Sequence, residues 1–253
     1  MELAAMLANV TEGMEAGAVG ISTGLVYEPG RYARTEEVVS LSKVVGRYGG
    51  LYVSHMRDEG GGLLDSVRET LHIGEASDTG VQISHHKSVG KTNWGMVTHS
   101  LEMIEDAVAR GLDVTADQYP YRASNTSLSA TLIPTWARAG GRQEMLKRLD
   151  SEEHGEKIRQ SIRDGLKRRD GGATIKIARC FKQEWVGKSV AEIASTANLS
   201  GLEVVEMIER NGGAAVVSFS MSPEDIRHVM TVPWVATASD GRAYLPGADK
   251  PHP

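Results

Sequence analysis

Residues 51–87 constrain this chain more than any other stretch, because they read strand, helix, strand, and each strand closes on a histidine. Leu51-Tyr52-Val53-Ser54-His55 is short and rich in β-formers, and Gly49-Gly50 ends the helix before it. Val81-Gln82-Ile83-Ser84-His85 repeats the design thirty residues further on. Between them Leu63, Leu64, Val67, Leu71 and Ile73 recur at helical spacing, and Thr79-Gly80 supplies the return turn. The unit is therefore βαβ, with two parallel, neighbouring strands. His55 and His85 then share the C-terminal pole of the sheet, where barrel enzymes keep their chemistry. Imidazole suits zinc, yet two ligands do not complete a site.

The same unit recurs on either side. Ala18 to Ser22 reads as a strand, followed by a loop that closes on Pro29-Gly30 and a helix that starts at Thr35 as N-cap and carries Val38, Leu41 and Val45. After His85, residues 94–110 read as a helix ended by Gly111, and Asp113 to Asp117 as the next strand. Units of about 30 residues in series predict alternating strands and helices of a barrel. The repeat breaks over 129–187, where a charged helix spans 152–169, and such a segment has the character of a lid. The reading divides the chain into barrel strands with their helices over 1–128, an insertion over 129–187, and the end of the barrel over 188–253. The last strand, Trp234 to Gly241, carries a third ligand-capable residue, Asp240, near its C-terminal end.

Composition narrows the function classes. A formal net charge of −5 with no sustained basic run argues against nucleic acid as a partner. No apolar run approaches about 18 residues, which gives no membrane signal, and Cys180, the one cysteine, leaves no intrachain disulfide. The location expected on these grounds is cytoplasmic.

Two imidazoles and a carboxylate at neighbouring strand ends make a partial zinc shell, and zinc activates water for hydrolysis. Asp240 stands as metal ligand and as the base that takes a proton from water and passes it to a leaving amine. His86, next along the strand from His85, points the other way.

Five motifs carry a resemblance: Gly20-Ile21-Ser22-Thr23-Gly24-Leu25-Val26-Tyr27, Ser54-His55-Met56-Arg57-Asp58-Glu59, Ile83-Ser84-His85-His86-Lys87, Asp117-Gln118-Tyr119-Pro120-Tyr121 and Ser239-Asp240-Gly241. In this order the chain resembles the D-aminoacylases, or N-acyl-D-amino-acid deacylases, of the amidohydrolase superfamily. The resemblance implies a partial (β/α)8 barrel of α/β class with His55 and His85 as metal ligands of the fifth and sixth strands. It implies Asp240 as catalytic aspartate of the eighth strand, and one or two zinc ions. Lys87, Tyr119 and Arg57 resemble positions that face the substrate, a small N-acyl-D-amino acid, and could hold its carboxylate.

The departures from the family pattern are as informative. The family's His-x-His pair and its ligand cysteine have no counterpart here, since Cys180 falls in the insertion, and His252-Pro253 stands where a His-Pro-Arg segment begins. The sequence therefore reads as an internal fragment, inactive by itself, with two open sheet edges and an apolar inner face. The alternatives are a cyclic-amide hydrolase of the same superfamily and a non-catalytic barrel remnant.

Overall fold

The computed structural model describes residues 2–241, so His252 and Pro253 lie outside it. Two compact units emerge, Met1–Tyr121 with Met221–Gly241, and Arg122–Ser220.

The first unit alternates helix and strand: α1 (Glu2–Glu15), β1 (Gly20–Gly24), α2 (Thr35–Gly46), β2 (Leu51–His55), α3 (Leu63–Ser77), β3 (Gly80–Ile83), α4 (Met96–Ala109) and β4 (Val114–Gln118). The second unit follows with β5 (Ala123–Ser127), α5 (Leu128–Leu132), α6 (Thr135–Arg138), α7 (Arg142–Asp150), α8 (Gly155–Lys167), β6 (Ile175–Arg179), α9 (Val190–Ala197), α10 (Gly201–Arg210) and β7 (Ala215–Phe219). The chain then returns to the first unit through α11 (Pro223–Met230) and β8 (Val235–Thr237).

Strands β1, β2, β3, β4 and β8 form one sheet in that order, and every pairing is parallel. This is the partial barrel that the motifs imply, an arc that does not close among the described residues. Because side chains alternate along a strand, register sorts them by face. Tyr52, Val81 and Val114 stand opposite one another and are buried on the helix side. There Leu63, Val67 and Leu71 of α3 and Ile104 and Ala107 of α4 pack against β3 and β4. The helices can approach closely because Gly46 faces the end of α3, where a Cβ would lie 2.3 Å from the Ser77 carbonyl oxygen.

The opposite face departs from the apolar one expected. It carries Ser22, Gln82, Thr115 and Asp117 beside Leu51 and Val53. Gln82 Nε2 donates to Asp117 Oδ2 at 2.8 Å, and Gln82 also bonds Thr115, so this face is cross-linked by polar side chains.

The break in the repeat is longer than the 129–187 read from the sequence. Helices α9 and α10 and strand β7, read as the barrel resuming at 188, belong to the second unit. The reason is packing: β7 pairs antiparallel with both β5 and β6, and Val216 of β7 shares a core with Val190, Ile193, Val204 and Ile208. The polar strand β5, Ala-Ser-Asn-Thr-Ser, carries no apolar alternation that would announce it. Thr35 also differs from expectation. It is the first helical residue of α2, and its hydroxyl donates to Glu69 Oε1 at 2.7 Å, tying α2 to α3 instead of capping. No helix among the described residues is long and apolar enough to cross a membrane.

Candidate metal centre

His55 is the last residue of β2, level with Gly24 of β1. His85 lies just past β3, in the left-handed region at φ 41°, a conformation unusual outside glycine. Asp117 of β4 holds it there: the His85 backbone N–H donates to Asp117 Oδ1 at 2.8 Å, and the His86 N–H to the Asp117 carbonyl at 2.8 Å. The strand has already ended at Ile83, so a turn sends the two histidines apart. His86 goes into the helix layer, fully buried, with Nε2 2.9 Å from the Ser100 hydroxyl of α4.

The rings of His55 and His85 meet edge to face with centroids 4.3 Å apart. Glu59, four residues past His55, completes the group: one ligand-capable atom from each of His55, Glu59 and His85 lies within 4.8 Å of the others. Glu59 Oε1 sits 2.9 Å from His85 Nδ1 and 2.6 Å from Lys87 Nζ. Two imidazoles and a carboxylate are a donor set that fits zinc. Electrostatics favours the required protonation states. Burial lowers the His55 pKa to about 4, with Glu59 opposing and His85 and Lys87 reinforcing, so the ring is neutral and its lone pair free for a metal. Burial alone would raise Glu59, but Lys87, His85 and His55 outweigh it and hold the carboxyl at about 2.

Tyrosines flank the histidines. The Tyr27 ring lies 4.9 Å from His55, and Tyr119 lies 6.3 Å from His85 and stacks on Tyr121 at 5.9 Å. Tyr119 is buried, and its hydroxyl has no hydrogen-bond partner among the described residues. Burial raises both the Tyr119 and Tyr27 phenols, with Glu59 and then Asp240 adding to it, so each remains a proton donor.

The residues read from the sequence are distributed unevenly. His55, His85, Lys87 and Tyr119 come together. Asp240, exposed at φ 49° on the loop after β8, acts on both tyrosines electrostatically but stands outside the group of His55, Glu59 and His85. Arg57 is engaged elsewhere. Its Nε and Nη2 grip both oxygens of Glu69 at 2.9 and 2.8 Å, while Nη1 and Nη2 donate to the carbonyls of Arg31 and Ala33 at 2.7 and 3.1 Å. Four of its N–H groups are thus committed to bracing the loop before α2 against α3. Lys87 is also engaged: its ammonium reaches Glu59 Oε1, His85 Nδ1 at 2.8 Å and the His85 carbonyl at 2.9 Å. Glu59 and Asp117 escaped sequence reading as site residues, although both stand within the motifs. The one signal for Glu59 was its place four residues after a strand-end histidine.

No protein-family model matches the chain. The whole chain aligns with a D-aminoacylase of Alcaligenes xylosoxydans xylosoxydans, 32% identical over 253 residues, which span 43% of that relative. The crystal structure of N-acyl-D-glutamate deacylase from Bordetella bronchiseptica, complexed with zinc and a phosphonate mimic of the tetrahedral intermediate, matches with a TM-score of 0.73 and 28% identity. The match covers 95% of this chain and 43% of that one. A D-aminoacylase with a binuclear metal centre matches with a TM-score of 0.70 and 30% identity over 95% of this chain and 42% of that one. In sequence and in fold, then, the chain is similar to D-aminoacylases and to N-acyl-D-glutamate deacylase, and it spans about two fifths of the length of these relatives.

Proposed function

We propose that this chain carries the metal-binding and acid–base pole of a zinc-dependent hydrolase that splits the amide bond of N-acyl-D-amino acids. The products are a carboxylate from the acyl group and a D-amino acid. The observation that carries this reading is the close group of His55, Glu59 and His85 at the ends of adjacent parallel strands, in a chain alike over its full length to deacylases of that class.

His55 and His85 are the residues that would hold zinc, one ion or a pair. Bound there, zinc supplies Lewis-acid activation of water and of the amide carbonyl. The remaining chemistry falls to the chain. Asp240, the exposed carboxylate past β8, accepts a proton from the attacking water and returns it to the departing amine, which leaves only as a protonated group. The Tyr119 hydroxyl offers a hydrogen bond that no described residue takes, and Lys87 Nζ lies 5.3 Å from the Tyr119 ring centroid. A donor and a positive charge so placed suit the α-carboxylate of a small acyl amino acid. The expected zinc-linked role of Asp240 belongs to the same proposal.

The test is to assay zinc-loaded protein carrying this chain on N-acetyl-D-glutamate and N-acetyl-D-methionine, on their L-enantiomers, and on a cyclic amide. Turnover of the D-compounds, lost on chelation, supports the reading. Turnover of the cyclic amide alone, or none of any substrate, sinks it.

A further inference from the structure

Glu59 is half-buried among charges, yet ligand and holder are different tasks for a carboxylate. Its place is set from both flanks: the Asp58 N–H donates to the Ser66 hydroxyl at 2.9 Å, Asp58 Oδ1 accepts from the Gly60 N–H at 2.6 Å, and the Glu59 carbonyl accepts from the Val89 N–H at 2.7 Å. The loops after β2 and β3 are thereby tied together at this residue.

A single oxygen then does the holding. Glu59 Oε1 lies 2.9 Å from His85 Nδ1, which is hydrogen-bond length. Two ligands of one tetrahedral zinc, each at about 2.0–2.1 Å from it, keep roughly 3.3 Å between them. The Lys87 ammonium is 2.6 Å from the same oxygen and 2.8 Å from the same nitrogen, so a cation already fills the notch between Glu59 and Nδ1. An ammonium has three donors, and here they meet Glu59 Oε1, His85 Nδ1 and the His85 carbonyl.

We propose that Glu59 is a positioning residue: it holds Lys87 and the Nδ1 edge of His85 by one oxygen, leaves Nε2 of His85 as the nitrogen that meets a metal, and couples metal loading to the release of Lys87. This rests on the zinc reading above. In the metal-free protein the Lys87 ammonium stands within donating distance of Nδ1, which on this proposal places an imidazole proton on Nε2. With Nε2 given to a metal, Nδ1 is the nitrogen left to carry a proton. Nδ1–H then donates to Glu59 Oε1. Lys87 loses one acceptor, and one of its N–H groups becomes free to meet an anionic substrate. Second-layer carboxylates of this kind fix the tautomer of a ligating histidine.

Imidazole ¹⁵N NMR on the 253-residue chain, titrated with zinc, tests this directly. The expected result is His85 protonated on Nε2 without metal, then metallated on Nε2 with a proton on Nδ1. Metallation on Nδ1 would overturn the proposal and make Glu59 a co-ligand. Zinc affinity measured by chelator competition adds a second reading. Glu59→Gln should keep stoichiometric zinc but bind it about 10–100-fold more weakly, the range for loss of such a partner. His85→Ala should lose zinc outright. Glu59→Gln that binds as wild type does, or that fails as His85→Ala does, refutes the positioning role, and circular dichroism of each variant checks its fold. A wild-type chain that takes up no zinc would instead bring down the metal centre itself, and this proposal with it.

Discussion

In the unit of Arg122–Ser220, helix caps surround an apolar core. Ser189 and Ser200 each open a helix with a complete capping box, paired with Glu192 and Glu203. Leu128, Ile158, Ile162, Ile175 and Ile177 are buried in a single apolar cluster. At the C-terminal pole of the parallel sheet, order comes from long-range polar contacts. Glu59 reaches His85 and Lys87, Asp117 holds the His85 N–H, and Arg57 joins Glu69 to the carbonyls of Arg31 and Ala33. One region is built for stability. The other keeps in place charged groups, a left-handed His85 and a Tyr119 hydroxyl with no partner among the described residues, features that a structure retains where chemistry needs them.

This contrast makes substitutions in the two regions fail differently, and the largest effect belongs to the pole. Asp240→Asn in a catalytically competent protein should lower kcat by about 10²–10⁴-fold, because an amide cannot accept the proton of water. Zinc content should change little, and melting temperature should not move, since Asp240 is exposed. Parallel loss of zinc and turnover would make Asp240 a ligand instead.

Next in size is a cavity in the second unit. Ile158→Ala removes a fully buried side chain of α8 and should cost about 2–5 kcal/mol in urea denaturation. Zinc affinity should stay within about twofold of wild type. A large fall in affinity would show that the pole depends on that core, and the contrast between the regions would collapse.

Arg57 tests the pole from the opposite side, as a residue there whose task is structural. Arg57→Met should destabilise by about 1.5–3 kcal/mol, the range for hydrogen bonds to charged groups, with KM unchanged. A raised KM with intact stability would restore Arg57 to the substrate. Smaller still is Ser200→Ala, which removes the oxygen that accepts from the Glu203 N–H and should cost about 1 kcal/mol in the same assay.

What could be read in the sequence is what local contacts fix, in either unit. The βαβ rhythm and His55 at the end of its strand are written in local periodicity, and the structure has them; His86 does face the helix layer, but a turn after Ile83 sends it there rather than strand alternation. The strand β5 and the full extent of the second unit are not, because polar Ala123–Ser127 becomes a strand only by pairing with β7, ninety residues away. Glu59 and Asp117 stand within the motifs, but nothing local says that a loop carboxylate bonds the next loop's histidine. The bonds of Arg57 were hidden for the same reason, since Glu69 is twelve residues off and well inside α3.

The smallest expected effect concerns a charged group that breaks the second unit's pattern. Glu209 of α10 is 1% exposed, and neither carboxylate oxygen has a hydrogen-bond partner among the described residues. Arg142 Nη1 stands 3.6 Å from Oε2, too far for a hydrogen bond. Burial raises the Glu209 pKa from its ordinary 4.5, and Arg142 and Arg138 oppose this only in part. The sign of the linkage follows. In the unfolded chain Glu209 releases its proton near the ordinary value, whereas in the folded chain it keeps that proton to higher pH. Between the two values the unfolded state binds fewer protons, so stability falls as pH rises through that window and then levels off. Glu209→Gln has no proton to release, and its difference from wild type should therefore depend on pH. Relative to wild type the variant should gain stability on going from about pH 4 to pH 7, with a net change of about 1 kcal/mol or less because the attraction to Arg142 is lost as well. Urea denaturation of both proteins across that range measures it. A difference that is flat with pH would mean that the carboxylate is solvated or paired in solution, and the second unit would then have no weak point in its core.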